Sequence, residues 1–348
     1  MSGIILPASL VLAAGLLTLS SVSPHLFLLQ LGWVALGLGV LVLIQRLDWR
    51  TLVSYRWLIS GLYGLASLLL AVAYFTAPII RNTRSWLVLG PASFQPVELA
   101  KIALILIYAQ YFSRRHLTVA RSKNIFFSFV LFAIPAGLVM LQPDLGSASV
   151  LFGIWFGFLL VSGLPRRYVL LAFGLFAIIG LVGWNFALKD YHRDRIAGVF
   201  YPERNVLTVN YSTIQAKIAI GSAGLFGKGY GQGSQTQLGF LTEPANDFIL
   251  AAFIEEWGIV PGLLLISIFI LLIIRILAIG LRAPHNFEKF ICLGAAMVFG
   301  IHFLINAGST VGIFPVVGVP LPLFSQGGSN LLASMTLLGL VHAIGAKT

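Results

Sequence analysis

The sequence has 348 residues, of which 58% are hydrophobic and only 9% are charged. So few charges exclude a water-soluble domain of this length, because such a domain covers its surface with polar and charged groups. The formal net charge of +11 is spread over links between apolar runs, so it does not form the clustered basic surface that binds nucleic acid.

Long apolar runs follow one another along the chain. Most are about 18–23 residues long, which lets a helix cross a hydrocarbon core of roughly 30 Å. In lipid the backbone must satisfy its own hydrogen bonds, so runs that do not alternate in polarity predict helices rather than barrel strands. We therefore predict an all-α polytopic membrane protein, one domain over residues 1–348, with about ten transmembrane helices at 4–23, 26–45, 57–76, 96–112, 124–141, 145–163, 168–187, 248–274, 290–310 and 329–346.

Basic residues mark the short links after the even-numbered predicted spans. By the positive-inside rule these links and both termini face the cytoplasm. Only Asp48 and Glu288 among the acidic residues share that side, so the others are expected in the membrane or outside it. The first apolar run has no basic leader, and we interpret it as a retained span. The basic residues of these links are Arg46, Arg50, Arg56, Arg114, Arg115, Arg121, Lys123, Arg166, Arg167, Arg275, Arg282 and Lys289.

Three irregular segments fall on the predicted outer face. Residues 77–95 are interpreted as an interfacial segment, and residues 188–247 as one long extracytoplasmic loop between spans 7 and 8. The apolar part of this loop is too short and too rich in glycine to span. Residues 311–328 contain prolines and paired glycines that resist regular structure. A functional site is therefore expected on this face.

An ionisable side chain at membrane depth is energetically costly, so each one is a candidate functional residue. Glu98 and Lys101 are three residues apart on one helical face, which fits either a structural ion pair or a substrate contact. Asp144 stands at the start of the sixth span, where it is either a helix N-cap or a functional carboxylate.

A further carboxylate, Asp247, opens the predicted eighth span. Asn246 or Asp247 either caps that helix or, as a partly desolvated carboxylate, Asp247 accepts a proton. Glu255 and Glu256 point about 100° apart on a helix, so at least one of them is expected to be structural. His302 and His342 are interpreted as hydrogen-bonded packing residues, and the single Cys292 excludes a disulfide framework.

Positive charge on the predicted outer side is contrary to the positive-inside rule, which suggests that these residues have a function there. Arginine and lysine suit a diphosphate, and neighbouring glycines let backbone amides approach it. The glycine-rich stretch lacks the ending of a Walker motif, so no nucleotide is expected. The residues by themselves predict a site for a lipid-linked phosphorylated substrate, in an enzyme or in a transporter. The outer cations are Arg81, Arg84, Lys189, Arg193, Arg195, Arg204, Lys217 and Lys228.

Five sequence blocks resemble the SEDS family (shape, elongation, division and sporulation), and within it the RodA branch more than the FtsW branch. They occur in family order across most of the chain: SWLVLGPASFQPVELAKIA at 85–103, QPDLGSA at 142–148, QAKIAIGSAGLFGKG at 215–229, NDFILAAFIEEWG at 246–258 and PLFSQGGSN at 322–330.

The resemblance implies a peptidoglycan glycosyltransferase that polymerises lipid II at the outer face of the bacterial cytoplasmic membrane, beside a class B penicillin-binding protein. It also implies a divalent cation, Mg²⁺ or Mn²⁺, with ligands unknown. Asp247 matches the family's essential aspartate. The matching blocks also mark Glu98, Lys101, Asp144, Ser325 and Ser329 as expected substrate-binding residues. From the charge argument above, Arg84, Lys217 and Lys228 are expected to bind substrate as well.

The chain departs from the family pattern at a few positions. The segment before Asp247 is Leu241-Thr242-Glu243-Pro244-Ala245-Asn246 and lacks the usual histidine, so no His–Asp relay is expected. Gln326 stands for a frequent tyrosine, Val97 for a serine and Ala223 for a glycine.

Two other functions remain open. A lipid II flippase also needs charged groups in a lipid-accessible cavity, but the sequence shows neither an inverted repeat nor a pair of broken helices. A scaffold that only recruits wall enzymes would make Asp247 dispensable.

Overall fold

Helices make up most of the computed structural model, which describes residues 3–46, 55–80, 83–90, 92–115, 122–162, 170, 174, 190–201 and 210–346. The seventh predicted span, 168–187, lies outside these residues except at two positions. The described elements are α1 Ile5–Val22, α2 Pro24–Arg46, α3 Arg56–Thr76, β1 Leu87–Leu89, β2 Ala92–Phe94, α4 Pro96–Arg115, α5 Ser122–Leu141, α6 Leu145–Val161, α7 Asp190–Phe200, α8 Tyr211–Ser222, α9 Ser234–Gln237, α10 Ile249–Trp257, α11 Ile259–Arg282, α12 Asn286–Thr310 and α13 Gly328–Gly345.

Seven of the described helices are long and apolar enough to cross a membrane: α1, α2, α3, α5, α11, α12 and α13. Helices α4 and α6 pack among them. Helix α4 has 20 residues but carries charges at both ends, and α6 has 17 residues. The multi-pass helical architecture is therefore confirmed, while the count of ten spans stays a prediction.

Helix α13 is the most enclosed spanning helix among those seven. It packs against α2, α4, α11 and α12, and 78% of its membrane-length window is buried. Two of its glycines allow close contact, since a Cβ on Gly328 would lie 2.1 Å from the Trp33 ring and one on Gly339 3.1 Å from Ile44. Small residues at such interfaces let helices approach where lipid provides no hydrophobic driving force.

The predicted span 248–274 is wrong as a single helix. The chain forms two helices, α10 and α11, separated at Gly258, whose φ is +98°. The backbone of the glycine-rich turn that follows α8 fills the break. Ile259 N donates to the Gly224 carbonyl and Val260 N donates to the Leu225 carbonyl, each at 3.1 Å. The helix-terminal N–H groups, which have no partner within their own helix, are thereby satisfied.

The segment 77–95 is more regular than the prediction. Strands β1 and β2 form an antiparallel hairpin with Leu87 opposite Phe94 and Leu89 opposite Ala92. The all-α class holds for the bundle, but this outer segment is a small β-structure. Its second strand leads directly into α4 and so fixes where that helix begins.

The link between α12 and α13 passes through the interior of the bundle. Leu321, Leu323 and Phe324 are buried. Two glycines make room for this link: a Cβ on Gly15 would lie 2.5 Å from the Phe324 carbonyl oxygen, and one on Gly146 would lie 2.3 Å from the Val317 carbonyl oxygen. Helices α1 and α6 thus contact the backbone of the link directly.

The described part of the long predicted loop is ordered into helices. Helix α8 packs against α10 through a small cluster of its own, in which Ala216 and Ala219 meet Phe248, Ala251 and Ala252. Residues 218–222 of the apolar stretch are the end of this helix, which lies against the segment that follows Asp247, and residues 223–227 continue as a bend and turns.

Candidate active site

Asp247 lies where the long loop before α10 enters that helix, and the residue is half-buried. Its carbonyl oxygen accepts a hydrogen bond of 3.1 Å from Asn306 Nδ2, and the same amide nitrogen donates to the Val319 carbonyl at 2.9 Å. Asn306 is 1% exposed. The N-cap of α10 is Phe248, without a side-chain cap bond. Neither Asn246 nor Asp247 therefore stands at the N-cap position itself, which Phe248 occupies.

The residues just before Asp247 are tied to the link that enters α13. Ser325 Oγ donates to the Asn246 carbonyl at 2.8 Å and accepts from Leu321 N at 2.9 Å. Gln326 N donates to the Ala245 carbonyl at 2.9 Å. The Ser325 hydroxyl is thus occupied in joining two loops, and this holds the approach to Asp247 in place.

Both of these loops contain a residue in the left-handed backbone region. Glu243 has a φ of +49° and Leu323 a φ of +66°. Residues other than glycine are strained there and persist only where their surroundings over-determine the backbone. The Asn246 side chain contributes at one loop by donating to Glu243 Oε2 at 3.0 Å.

Glu98 and Lys101 form a buried ion pair, with 2.8 Å between Lys101 Nζ and Glu98 Oε2. Lys101 Nζ lies 3.0 Å from His302 Nε2, and His302 Nδ1 lies 2.8 Å from the Pro320 carbonyl oxygen. Since a carbonyl only accepts, the hydrogen sits on Nδ1, and Nε2 accepts from the ammonium. Asn330 Nδ2 donates to Glu98 Oε1 at 3.3 Å. The pair therefore ties α4 to α12 and α13, as the structural interpretation expected.

Asp144 caps α6, accepting from Ser147 N at 2.9 Å and from Ser147 Oγ at 2.7 Å. Gln95 Nε2 donates to it at 3.3 Å, and Gln95 N donates to Ser329 Oγ at 3.1 Å. Burial raises the pKa of the Asp144 carboxyl, although the Ser147 bonds and the Lys101 charge oppose that rise. Gln95, which the motif analysis passed over, thus joins the predicted residues Asp144 and Ser329.

Glu255 is a buried carboxylate that accepts five hydrogen bonds. Its donors are Lys228 Nζ at 2.8 Å, Gln235 N at 2.8 Å, Thr236 N at 3.1 Å, Thr236 Oγ1 at 2.8 Å and Ser234 Oγ at 3.4 Å. Burial by itself raises the pKa of Glu255, but these bonds, that of Lys228 first, lower it on balance. Glu255 therefore fastens the long loop before α10 to that helix.

The neighbouring carboxylate, Glu256, is also structural in its contacts. Its Oε1 accepts hydrogen bonds from Ser21 Oγ and from Gln237 Nε2, the latter at 3.2 Å. These bonds tie the C-terminal end of α1 to α9 and α10. The sequence predicted that at least one of Glu255 and Glu256 is structural, and both make structural contacts.

Six of the predicted site residues fall into three hydrogen-bonded sets. Glu98 and Lys101 join His302 and Asn330, Asp144 and Ser329 join Gln95, and Asp247 and Ser325 are held by the loops described above. His302 and Asn306 lie one helical turn apart on α12, so one face of this helix serves the first and the third set. Arg84 and Lys217 are exposed, and Lys228 belongs to the separate network of Glu255.

Asn306 is the residue that motif-based reasoning missed most clearly. Its spacing of four from His302 was available as a signal, because residues i and i+4 lie on one helical face. Among the described residues, no three His, Cys, Asp or Glu side chains come together to hold a metal ion. The divalent cation remains a prediction without a ligand set.

Comparison with known proteins gives consistent results. A profile of the cell cycle protein family of FtsW, RodA and SpoVE matches residues 1–348. The peptidoglycan glycosyltransferase MrdB of Escherichia coli K12 is 38% identical over 315 residues, which cover 90% of this chain and 84% of that protein.

Two solved structures resemble the whole chain. One belongs to a study of how a peptidoglycan synthase complex coordinates polymerization and crosslinking; it has a TM-score of 0.84 and 32% identity, covering 99% of this chain and 97% of that chain. The other is the rod shape determining protein RodA of Thermus thermophilus, with a TM-score of 0.75, 32% identity and coverage of 100% and 97%.

Proposed function

Because this chain belongs to the FtsW, RodA and SpoVE family of cell cycle proteins, we propose that it is a peptidoglycan glycosyltransferase that polymerises lipid II into glycan strands for cell elongation and shape. A relative of 38% identity that bears this activity in its name supports the proposal. The structural observation that carries it is Asp247, a half-buried carboxylate held at the mouth of α10 by Asn306.

In the proposed reaction, the 4-hydroxyl of one lipid II attacks the anomeric carbon of another lipid II or of the growing strand. The new bond joins the acceptor oxygen to that carbon. The bond from the carbon to the diphosphate breaks, and undecaprenyl diphosphate leaves with the electron pair. Asp247 takes the proton of the attacking hydroxyl, a role that demands correct placement first and a suitable pKa second.

Negative charge accumulates on the leaving diphosphate, and fixed positive groups stabilise it. Arg84 is an exposed cation of the predicted outer side and supplies such charge. Lys101 is buried in its ion pair, so it supports the site as part of the framework. A divalent cation would add to the same stabilisation when bound, and no step here depends on it.

We propose the bacterial cytoplasmic membrane as the location, with the site facing outward, and a class B penicillin-binding protein as the partner that crosslinks the strands. The distribution of basic residues supports this orientation. The similarity to a chain from a peptidoglycan synthase complex supports the partner.

A lipid II flippase is the second candidate, and the interruption at Gly258 favours it. Broken helices are a feature of transporters that bind substrates at the bilayer midplane. Here the break stands between a nine-residue helix and a 24-residue helix that is long enough to span by itself. The break therefore lies at the end of a membrane span and not at the bilayer midplane, and this position fits an enzyme site at the membrane surface better than a transport path.

The experiment measures lipid II polymerisation by the purified protein with its candidate class B partner, whose transpeptidase is blocked, while Mg²⁺ and Mn²⁺ are varied. Wild type is compared with Asp247→Asn. Asp194→Asn is the matched control, because Asp194 is an exposed carboxylate on α7.

We expect glycan strands from wild type and Asp194→Asn, and none from a folded Asp247→Asn. Normal polymerisation by Asp247→Asn would remove the catalytic assignment. Lipid II translocation without polymerisation by wild type would select the flippase, and the absence of both activities would select the scaffold.

A further inference from the structure

Two lysines of the outer loop, Lys217 and Lys228, look equivalent in the sequence but have different surroundings in the structure. Lys228 Nζ lies 2.8 Å from Glu255 Oε1 and donates to Ser234 Oγ at 2.8 Å. Glu255 is fully buried, and removing its counter-charge leaves it uncompensated. Lys228 is therefore committed to the fold.

Lys217 has no ion-pair partner within the described residues, and its side chain is exposed. Its end lies against Gly312, where a Cβ would be 2.6 Å from Lys217 Nζ and 3.1 Å from Thr213 Cγ2. Gly312 also has a φ of +80°, which favours glycine. The absence of a side chain at this position is what leaves room for the ammonium group.

The Lys217 side chain borders a shallow surface cleft that is open to solvent. Thr213 and Lys217 line it from α8, and Asn210 lines it just before that helix. The remaining lining comes from Gly312, Phe314, Pro315 and Val316, and from Gly198 and Val199 of α7. An exposed cation beside a cleft is suited to an oxygen-rich anion, for which charge-assisted bonds are the strongest available.

The cleft shares its supporting elements with Asp247. Helix α8 is anchored to the segment around Asp247 by the cluster containing Ala216, Ala219 and Phe248, and by Thr242 Oγ1 donating to Ser212 Oγ at 2.6 Å. The other wall continues from α12, whose Asn306 holds the Asp247 carbonyl. A ligand group bound at Lys217 thus lies on the same two elements that place the carboxylate.

We propose that the cleft at Lys217 binds an oxyanion of the lipid-linked substrate, with Lys217 as its main contact, whereas Lys228 makes none. The proposal rests on the proposed function for the identity of the substrate. Lipid II offers the oxyanion from two sources, its diphosphate and the carboxylates of its stem peptide.

The test measures equilibrium binding of lipid II and of a lipid II analogue without the stem peptide to the full chain in lipid nanodiscs. Lys217→Gln removes the charge, and Lys217→Arg keeps it. Lys123→Gln is the matched control, because it makes the same change at an exposed lysine of α5. Polymerisation by wild type is measured in the same preparation, so that failure of the proposed function is seen separately.

We expect Lys217→Gln to weaken binding about tenfold, as the loss of one charge-assisted contact does, while Lys217→Arg and Lys123→Gln bind like wild type. An equal loss for both lipids assigns the diphosphate to the cleft, and a loss confined to lipid II assigns the stem carboxylate. Unchanged binding of both lipids by Lys217→Gln would overturn the inference even if wild type polymerises.

Discussion

Asn306 holds Asp247 by its backbone. One amide nitrogen of Asn306 donates to both the Asp247 carbonyl and the Val319 carbonyl, so the mouth of α10 and the link to α13 are joined at a single side chain. One turn earlier on α12, His302 contacts the Pro320 carbonyl and Lys101. The carboxylate proposed as the base is therefore positioned by a helix far from it in the sequence.

This relationship predicts that Asn306→Ala lowers the turnover of lipid II polymerisation about tenfold or more, because a small displacement of a catalytic group is costly. The KM for lipid II should change little, since Asn306 is buried and acts through Asp247. Steady-state kinetics separate the two constants. Asn286→Ala, an exposed position at the other end of α12, serves as control, and a rise in KM at constant turnover would contradict the positioning role.

The buried ion pair predicts a strongly non-additive double-mutant cycle. Glu98→Gln leaves the Lys101 ammonium buried without its partner, and such a change costs about 3–5 kcal/mol. Removing both charges in Glu98→Gln/Lys101→Met should restore part of this loss. Unfolding in detergent gives the four free energies of unfolding, and additive effects would mean that the pair is not coupled.

Two glycine positions should respond very differently to the same small substitution. Gly15→Ala places a methyl group against the Phe324 backbone and should destabilise the protein by about 1–3 kcal/mol, as overpacking does. Gly61→Ala in α3 meets nothing within 4 Å and should leave stability unchanged or raise it slightly. Thermal unfolding in detergent compares the two variants, and equal melting temperatures would show that the link does not pack against α1 as described.

The Glu255 network predicts loss of loop protection in acid. Its pKa is lowered in the folded state, so its contribution to stability is complete above the unfolded value of about 4.3 and disappears as the pH falls through the folded value. Hydrogen exchange at the amides of Gln235 and Thr236 measures this directly. In wild type, protection should decrease as the pH is lowered through the folded pKa of Glu255. Glu255→Gln should be less protected at neutral pH and should not show this pH-dependent decrease. An identical pH dependence in both proteins would contradict the assignment.

Much of the fold was predictable from local sequence patterns. Hydropathy over a window of membrane length located the helices that span by length and composition, including α2 and α12. The break at Gly258 was not predictable in this way, because the apolar stretches on either side of Glu255, Glu256 and Gly258 stand close together and are taken as one span. Only the loop backbone that donates and accepts across the break makes the interruption stable.

The residues of the candidate site were likewise predictable only in part. The sequence by itself determined the membrane architecture and the polar residues that carry chemistry, because hydrophobicity and residue type are local properties of the chain. The tertiary structure decided which of those residues are committed to the framework, as Lys228 and Lys101 are, and which remain available, as Lys217 does. It also decided that Asn306 holds Asp247. Such partners are set by contacts between residues distant in the chain, and no local pattern encodes the geometry of those contacts.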